Sequence, residues 1–161
     1  MFGVSQGGTV ALEYLYWLAQ KYPDAHLGGV VGISTQLLGA TRKQICNLEK
    51  DEPHSKISSS LIQTPVLIIH GEEDTKVLPK YNLDSVKCIK KLMQPEFCSS
   101  EFVHKMFKSR GHVMLRGANI EEMGIFYKFM ANNLNGVGRK KEKAALNELA
   151  EKEGWINLKC M

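Results

Sequence analysis

The chain has 161 residues, 43% of them hydrophobic and 24% charged, a balance that describes one globular core and excludes a disordered or fibrous polypeptide. Its 21 basic and 17 acidic side chains leave a formal charge of +4, too thin for a nucleic-acid-binding surface. No apolar run approaches the roughly 20 residues of a membrane helix. With no signal sequence and no metal-ligand spacing, Cys46, Cys88, Cys98 and Cys160 are expected as reduced thiols of a cytoplasmic protein.

The chain opens with Met1-Phe2-Gly3-Val4-Ser5-Gln6-Gly7-Gly8. Gly-x-Ser-x-Gly is the pattern of a nucleophile elbow, a tight strand-to-helix turn that lifts a serine hydroxyl within reach of a histidine. On this reading Gly3 and Gly7 remove side chains that would collide across the turn. The Gln6 backbone N–H would face a developing oxyanion at the N-terminus of the next helix. That helix is expected from Thr9 to Lys21, a stretch without Gly or Pro that Pro23 stops. Val10, Tyr14, Trp17 and Leu18 fall at helical spacing, and Leu12, Leu15, Tyr16 and Ala19 fill the other faces. The helix should therefore be largely buried.

Gly29 to Ile33 reads as a short strand, and Gln36 to Gln63 as an insertion, either solvated or overhanging a pocket. Pro65 to His70 is a continuous β-branched-rich block, typical of a central parallel strand. Asp74 lies in the turn just beyond it, where functional groups gather in open α/β sheets. Glu72 and Glu73 are competing carboxylates, placed earlier in the turn and toward solvent. A helix over Asn82 to Met93 precedes the alternating strand Glu101 to Phe107, and His112 follows in a glycine-bearing loop. His70 and His104 fall inside strands and read as core or edge histidines; His26 and His54 read as surface residues. A helix from Asn119 to Leu134 opens near a capping box at Asn119 and Glu122, with Met123, Phe126, Tyr127, Met130 and Leu134 as its core stripe. The tail after Gly136 is basic and carries one short amphipathic stripe, the pattern of a solvated helix.

Three motifs in this order, Gly-Val-Ser-Gln-Gly-Gly, His-Gly-x-x-Asp-x-x-Val-x-Pro and Gly-His, resemble the carboxylesterase group of α/β hydrolases. That group includes acyl-protein thioesterases and lysophospholipases, and the likeness runs from Met1 to about Leu134. The resemblance implies Ser5 as nucleophile, His112 as general base and later general acid, Asp74 as the orienting carboxylate and Gln6 as one oxyanion donor. It implies hydrolysis of fatty-acyl esters or thioesters of an acylated protein or lysophospholipid, with no metal or organic cofactor.

The fold class it implies is α/β, a partial α/β-hydrolase fold with about three mostly parallel strands, flanking helices and the N-terminal strands missing. Residues 1–135 would form that portion and residues 136–161 a charged helical tail. The missing strands would carry the second oxyanion donor, so impaired activity is expected. The alternative is a non-catalytic fragment acting as an interaction module through an exposed sheet edge. The strand Gly29 to Ile33 is expected to lack a neighbour on its elbow side, which favours self-association.

Overall fold

A computed structural model describes residues 1–22, 24–25, 27–51, 63–93, 101–112 and 120–133, the side chains of 48–51 excepted. The chain divides into two compact units, Met1–Met114 and Leu115–Met161. Pro23, His26, His54, Asn119, Leu134, the segment 52–62 and the tail from Gly136 lie outside the described residues.

The first unit holds a four-stranded sheet of β1 (Phe2–Val4), β2 (Val30–Ile33), β3 (Val66–Gly71) and β4 (Phe102–Phe107), in the order β1-β2-β3-β4. Every neighbouring pair is parallel, with Phe2 beside Val31, Val30 beside Val66 and Val66 beside Phe102. Parallel neighbours need crossovers, and helices supply them: α1 (Gln6–Lys21), α2 (Gly39–Asp51) and α3 (Pro79–Met93). Crossovers that step the same way with one hand place their helices on one sheet face. Accordingly Leu12 and Leu15 of α1, Ile45 of α2 and Ile89 and Leu92 of α3 share one core with Val30, Val66 and Ile68. Each such side chain contributes about 1.5–3 kcal/mol by leaving water. All of β2 and β3 is buried, which explains their unbroken apolar runs.

Parallelism also decides where the chemistry can gather. The C-terminal ends of all four strands point the same way, so the residues following them form one rim.

Four expectations need correction. β2 has a neighbour on the elbow side, because Phe2 to Val4 pairs with Val31 to Ile33 as a fourth strand. Three residues are too few to show a period, so the sequence reading did not count this strand. In α1, Val10 is 64% exposed, Trp17 43% and Tyr14 40%; the buried face is Ala11, Leu12, Leu15, Tyr16, Leu18 and Ala19. A helix apolar on every side gives no clue to which face turns inward. The insertion contains α2, held by buried Leu37, Thr41 and Ile45 at four-residue spacing. In the second unit, α4 (Ile120–Asn133) buries Glu122, Gly124, Phe129 and Ala131, while Met123, Phe126, Tyr127 and Met130 are half-buried. Among the described residues, no helix is long and apolar enough to cross a membrane.

Candidate active site

Ser5 joins β1 to α1 with φ 55° and ψ −122°, a positive φ that few residues other than glycine adopt. The turn is held on both sides: the Ser5 N–H donates to Ile33 O at 2.8 Å, and the Thr9 N–H to Ser5 O at 3.0 Å. A Cβ on Gly3 would strike the backbone of Gly7 and Gly8, and one on Gly8 would lie 2.8 Å from Thr35. A Cβ on Gly7 would meet nothing within 4 Å, so the glycine the turn needs beyond Gly3 is Gly8. Gln6 opens α1 with its side chain exposed, and its backbone N–H lies where a helix has no acceptor of its own.

Asp74 and His112 arrive from the two adjoining strand ends. The Glu72 N–H donates to Phe107 O and the Glu73 N–H to Arg110 O, both at 2.9 Å, zipping the turn after β3 to the loop after β4. Gly71 permits this approach, because a Cβ there would strike the Arg110 carbonyl. Asp74 is buried, whereas Glu72 and Glu73 are exposed, as the sequence reading expects. Asp74 Oδ1 accepts the backbone N–H groups of Lys76 at 2.8 Å and Val77 at 2.9 Å.

His112 Nδ1 lies 2.9 Å from Asp74 Oδ2 and 3.0 Å from Oδ1, and its Nε2 lies 2.9 Å from Ser5 Oγ. A carboxylate only accepts, so Nδ1 carries the proton and Nε2 is left to accept from the serine hydroxyl. Burial pushes the Asp74 carboxyl up, but the Val77 N–H, His112 and the Lys76 N–H outweigh it and hold the group below its ordinary value. The His112 side chain is 24% exposed.

No family model matches the sequence, and no curated protein matches it by sequence. Solved structures do. The chain is similar to Zea mays acyl-protein thioesterase 2 over 83% of its length and 55% of that chain, at 26% identity and a TM-score of 0.60. It is similar to Arabidopsis thaliana SOBER1 over 83% and 52%, at 22% identity and a TM-score of 0.58. Pyrococcus horikoshii acylaminoacyl peptidase matches 91% of this chain with 25% of its own, at 16% identity and a TM-score of 0.54. The fold is a partial α/β hydrolase. The chain spans about half the length of the first two structures.

This fold brings Ser5, Asp74 and His112 together, and the groups that support them are not marked by the sequence motifs. Thr9 Oγ1 lies 3.4 Å from Ser5 O and 3.2 Å from Thr35 Oγ1. Asn82 on α3 donates its amide to Thr35 O at 2.8 Å and turns Oδ1 toward His104 Nε2 at 3.1 Å. His104, a strand histidine as expected, therefore carries its proton on Nε2. Nothing in the sequence marks these partners, because each lies on a different element. His70, also expected as a core residue, is wholly buried beside Asp74. Among the described residues, no group of three or more His, Cys, Asp or Glu is arranged to hold a metal ion.

Proposed function

We propose that the chain is a serine hydrolase of fatty-acyl esters or thioesters, resembling an acyl-protein thioesterase or lysophospholipase that acts in the cytoplasm. The observation that carries this reading is the unbroken contact from Asp74 through His112 to Ser5. In the proposed reaction His112 Nε2 takes the Ser5 proton as Oγ attacks the acyl carbonyl. Asp74 stabilises the imidazolium, and the tetrahedral oxygen meets the Gln6 N–H at the positive end of α1. His112 then protonates the leaving alcohol or thiol, and a water that it activates releases the acid. The similarity to acyl-protein thioesterase 2 supports the substrate class.

The test is a fluorophosphonate probe, which phosphonylates only an activated serine. Labelling should require Ser5 and fall about 10⁴-fold in Asp74→Asn, whose imidazole is left in the wrong tautomer. His112→Ala should be at least as impaired, and adding Ser5→Ala should change little further, because such residues act as a unit. Undiminished labelling of Ser5→Ala would remove the hydrolase reading.

A second reading, self-association through the β1 side of the sheet, is favoured by one observation. Phe2 is 57% and Val4 41% exposed there.

A further inference from the structure

His70 is the penultimate residue of β3 and is 0% exposed, a costly place for an imidazole unless its polar atoms are hydrogen-bonded. Its Nε2 lies 2.9 Å from the Val77 carbonyl. A carbonyl only accepts, so Nε2 holds the ring proton, and Nδ1 is left as a buried acceptor with no partner among the described residues. The neutral form is the one the surroundings favour, since burial holds the group below its ordinary value. Asp74, His112 and, from β4, His104 are the titratable groups around it.

The Val77 carbonyl is not an incidental acceptor. The N–H of the same residue donates to Asp74 Oδ1 at 2.9 Å, beside the Lys76 N–H at 2.8 Å. His70 thus closes a ring around the turn 74–77, gripping from strand β3 the residue that grips the carboxylate. The same Nε2 lies 3.5 Å from Asp74 Oδ2, too far for a good hydrogen bond, which leaves the Val77 carbonyl as the acceptor of its proton. Without this grip the turn is still tied to the loop after β4 at Glu72 and Glu73, but its far end at Val77 is released and Oδ2 can drift from His112 Nδ1. A displacement of about 1 Å in such a relay can cost about 10² in rate.

We propose that His70 is a positioning residue for Asp74: its Nε2–H fixes the turn 74–77 through the Val77 carbonyl and so sets the Asp74–His112 contact. The consequence for activity rests on the hydrolase reading above; the geometric claim does not.

The experiment compares His70→Gln with His70→Asn in the full chain. The amide nitrogen of Gln falls where Nε2 was and reaches Val77; that of Asn falls near Nδ1 and does not. Both substitutions leave one buried amide in place of the ring, so a merely structural role impairs them alike. The first readout is the His112 Nδ1–H proton in protein labelled with ¹⁵N-histidine, which reports its bond to Asp74 whether or not the protein turns over. The second is fluorophosphonate labelling, resolved into the maximal rate and the half-saturating probe concentration.

In His70→Gln the Nδ1–H signal should persist and the maximal rate stay within about five-fold of wild type. In His70→Asn the signal should be lost to solvent exchange and the maximal rate fall about 10²-fold, with half-saturation unchanged. Equal behaviour of the two variants in the proton signal, whether both keep it or both lose it, overturns the proposal. Absence of labelling in wild type overturns the hydrolase reading instead, and the proton signals still decide the role of His70.

Discussion

Among the described residues three serines, Ser5, Ser34 and Ser109, have a positive φ, and each lies just beyond the C-terminal end of a strand. Each costs about 1–3 kcal/mol, a strain that persists only where neighbours over-determine it. At Ser5 the neighbour is the Gly7 and Gly8 backbone packed directly over Gly3, which yields a sharp expectation. Gly3→Ala drives a methyl group into the Gly7 and Gly8 backbone and should abolish probe labelling with a lowered melting temperature. Gly7→Ala meets nothing and should leave labelling intact, with stability equal or higher by up to about 1 kcal/mol from helix propensity. Thermal melts of the two variants check this, and equal damage would refute the assignment of Gly3 and Gly8 as the required glycines. The other residue-scale expectation concerns His104. Burial, then Lys90 and His70, depress it to about 4. The unfolded chain takes up this proton near pH 6.5, the folded protein only near 4. Stability that is fully present above pH 6.5 is therefore lost progressively as pH falls toward 4. Urea unfolding between pH 7 and pH 4 should show a shallower loss in His104→Gln, and an unchanged slope would rule His104 out as its source.

Between elements, the contacts that matter join residues that no local pattern connects. Glu13 on α1 accepts the Leu38 N–H at 2.7 Å and the Thr41 hydroxyl at 2.6 Å, placing a carboxylate at the N-terminus of α2. It acts as a cap lent by a neighbouring helix, which explains how α2 begins with no acidic residue in its own first turn. Glu13→Ala should cost about 1–2 kcal/mol in urea unfolding and leave the Ser5–His112 relay intact. A loss below about 0.3 kcal/mol would mean that water caps α2 equally well. This contact also shows where sequence reading stops. Ser5, Asp74 and His112 were legible because glycines and β-branched runs punctuate the chain around them. Glu13, Thr35, Asn82 and the role of His70 were not, since each acts through a partner on another element. The exposed face of α1 was misread for a related reason: composition says how apolar a helix is, not which side meets the sheet.

At the scale of the molecule, the sheet leaves β1 paired on one side among the described residues, and Val10, Tyr14 and Trp17 stand exposed on the helix that follows it. Such an exposed apolar stripe favours association. In sedimentation velocity the wild-type chain should gain mass with concentration, and Tyr14→Glu with Trp17→Glu should weaken that trend. A strictly monomeric wild type would end the second reading. The all-parallel order carries a different consequence, in time. No two neighbouring strands can pair through a local hairpin, so each ladder waits for a helix and two connections to close, and such non-local pairing folds slowly. Ser5 and His112 stand 107 residues apart and meet only after β4 has added to β3 and β1 to β2. On the hydrolase reading, nascent or partly assembled chains therefore carry an inert serine, and nucleophilicity is acquired only once these ladders have closed.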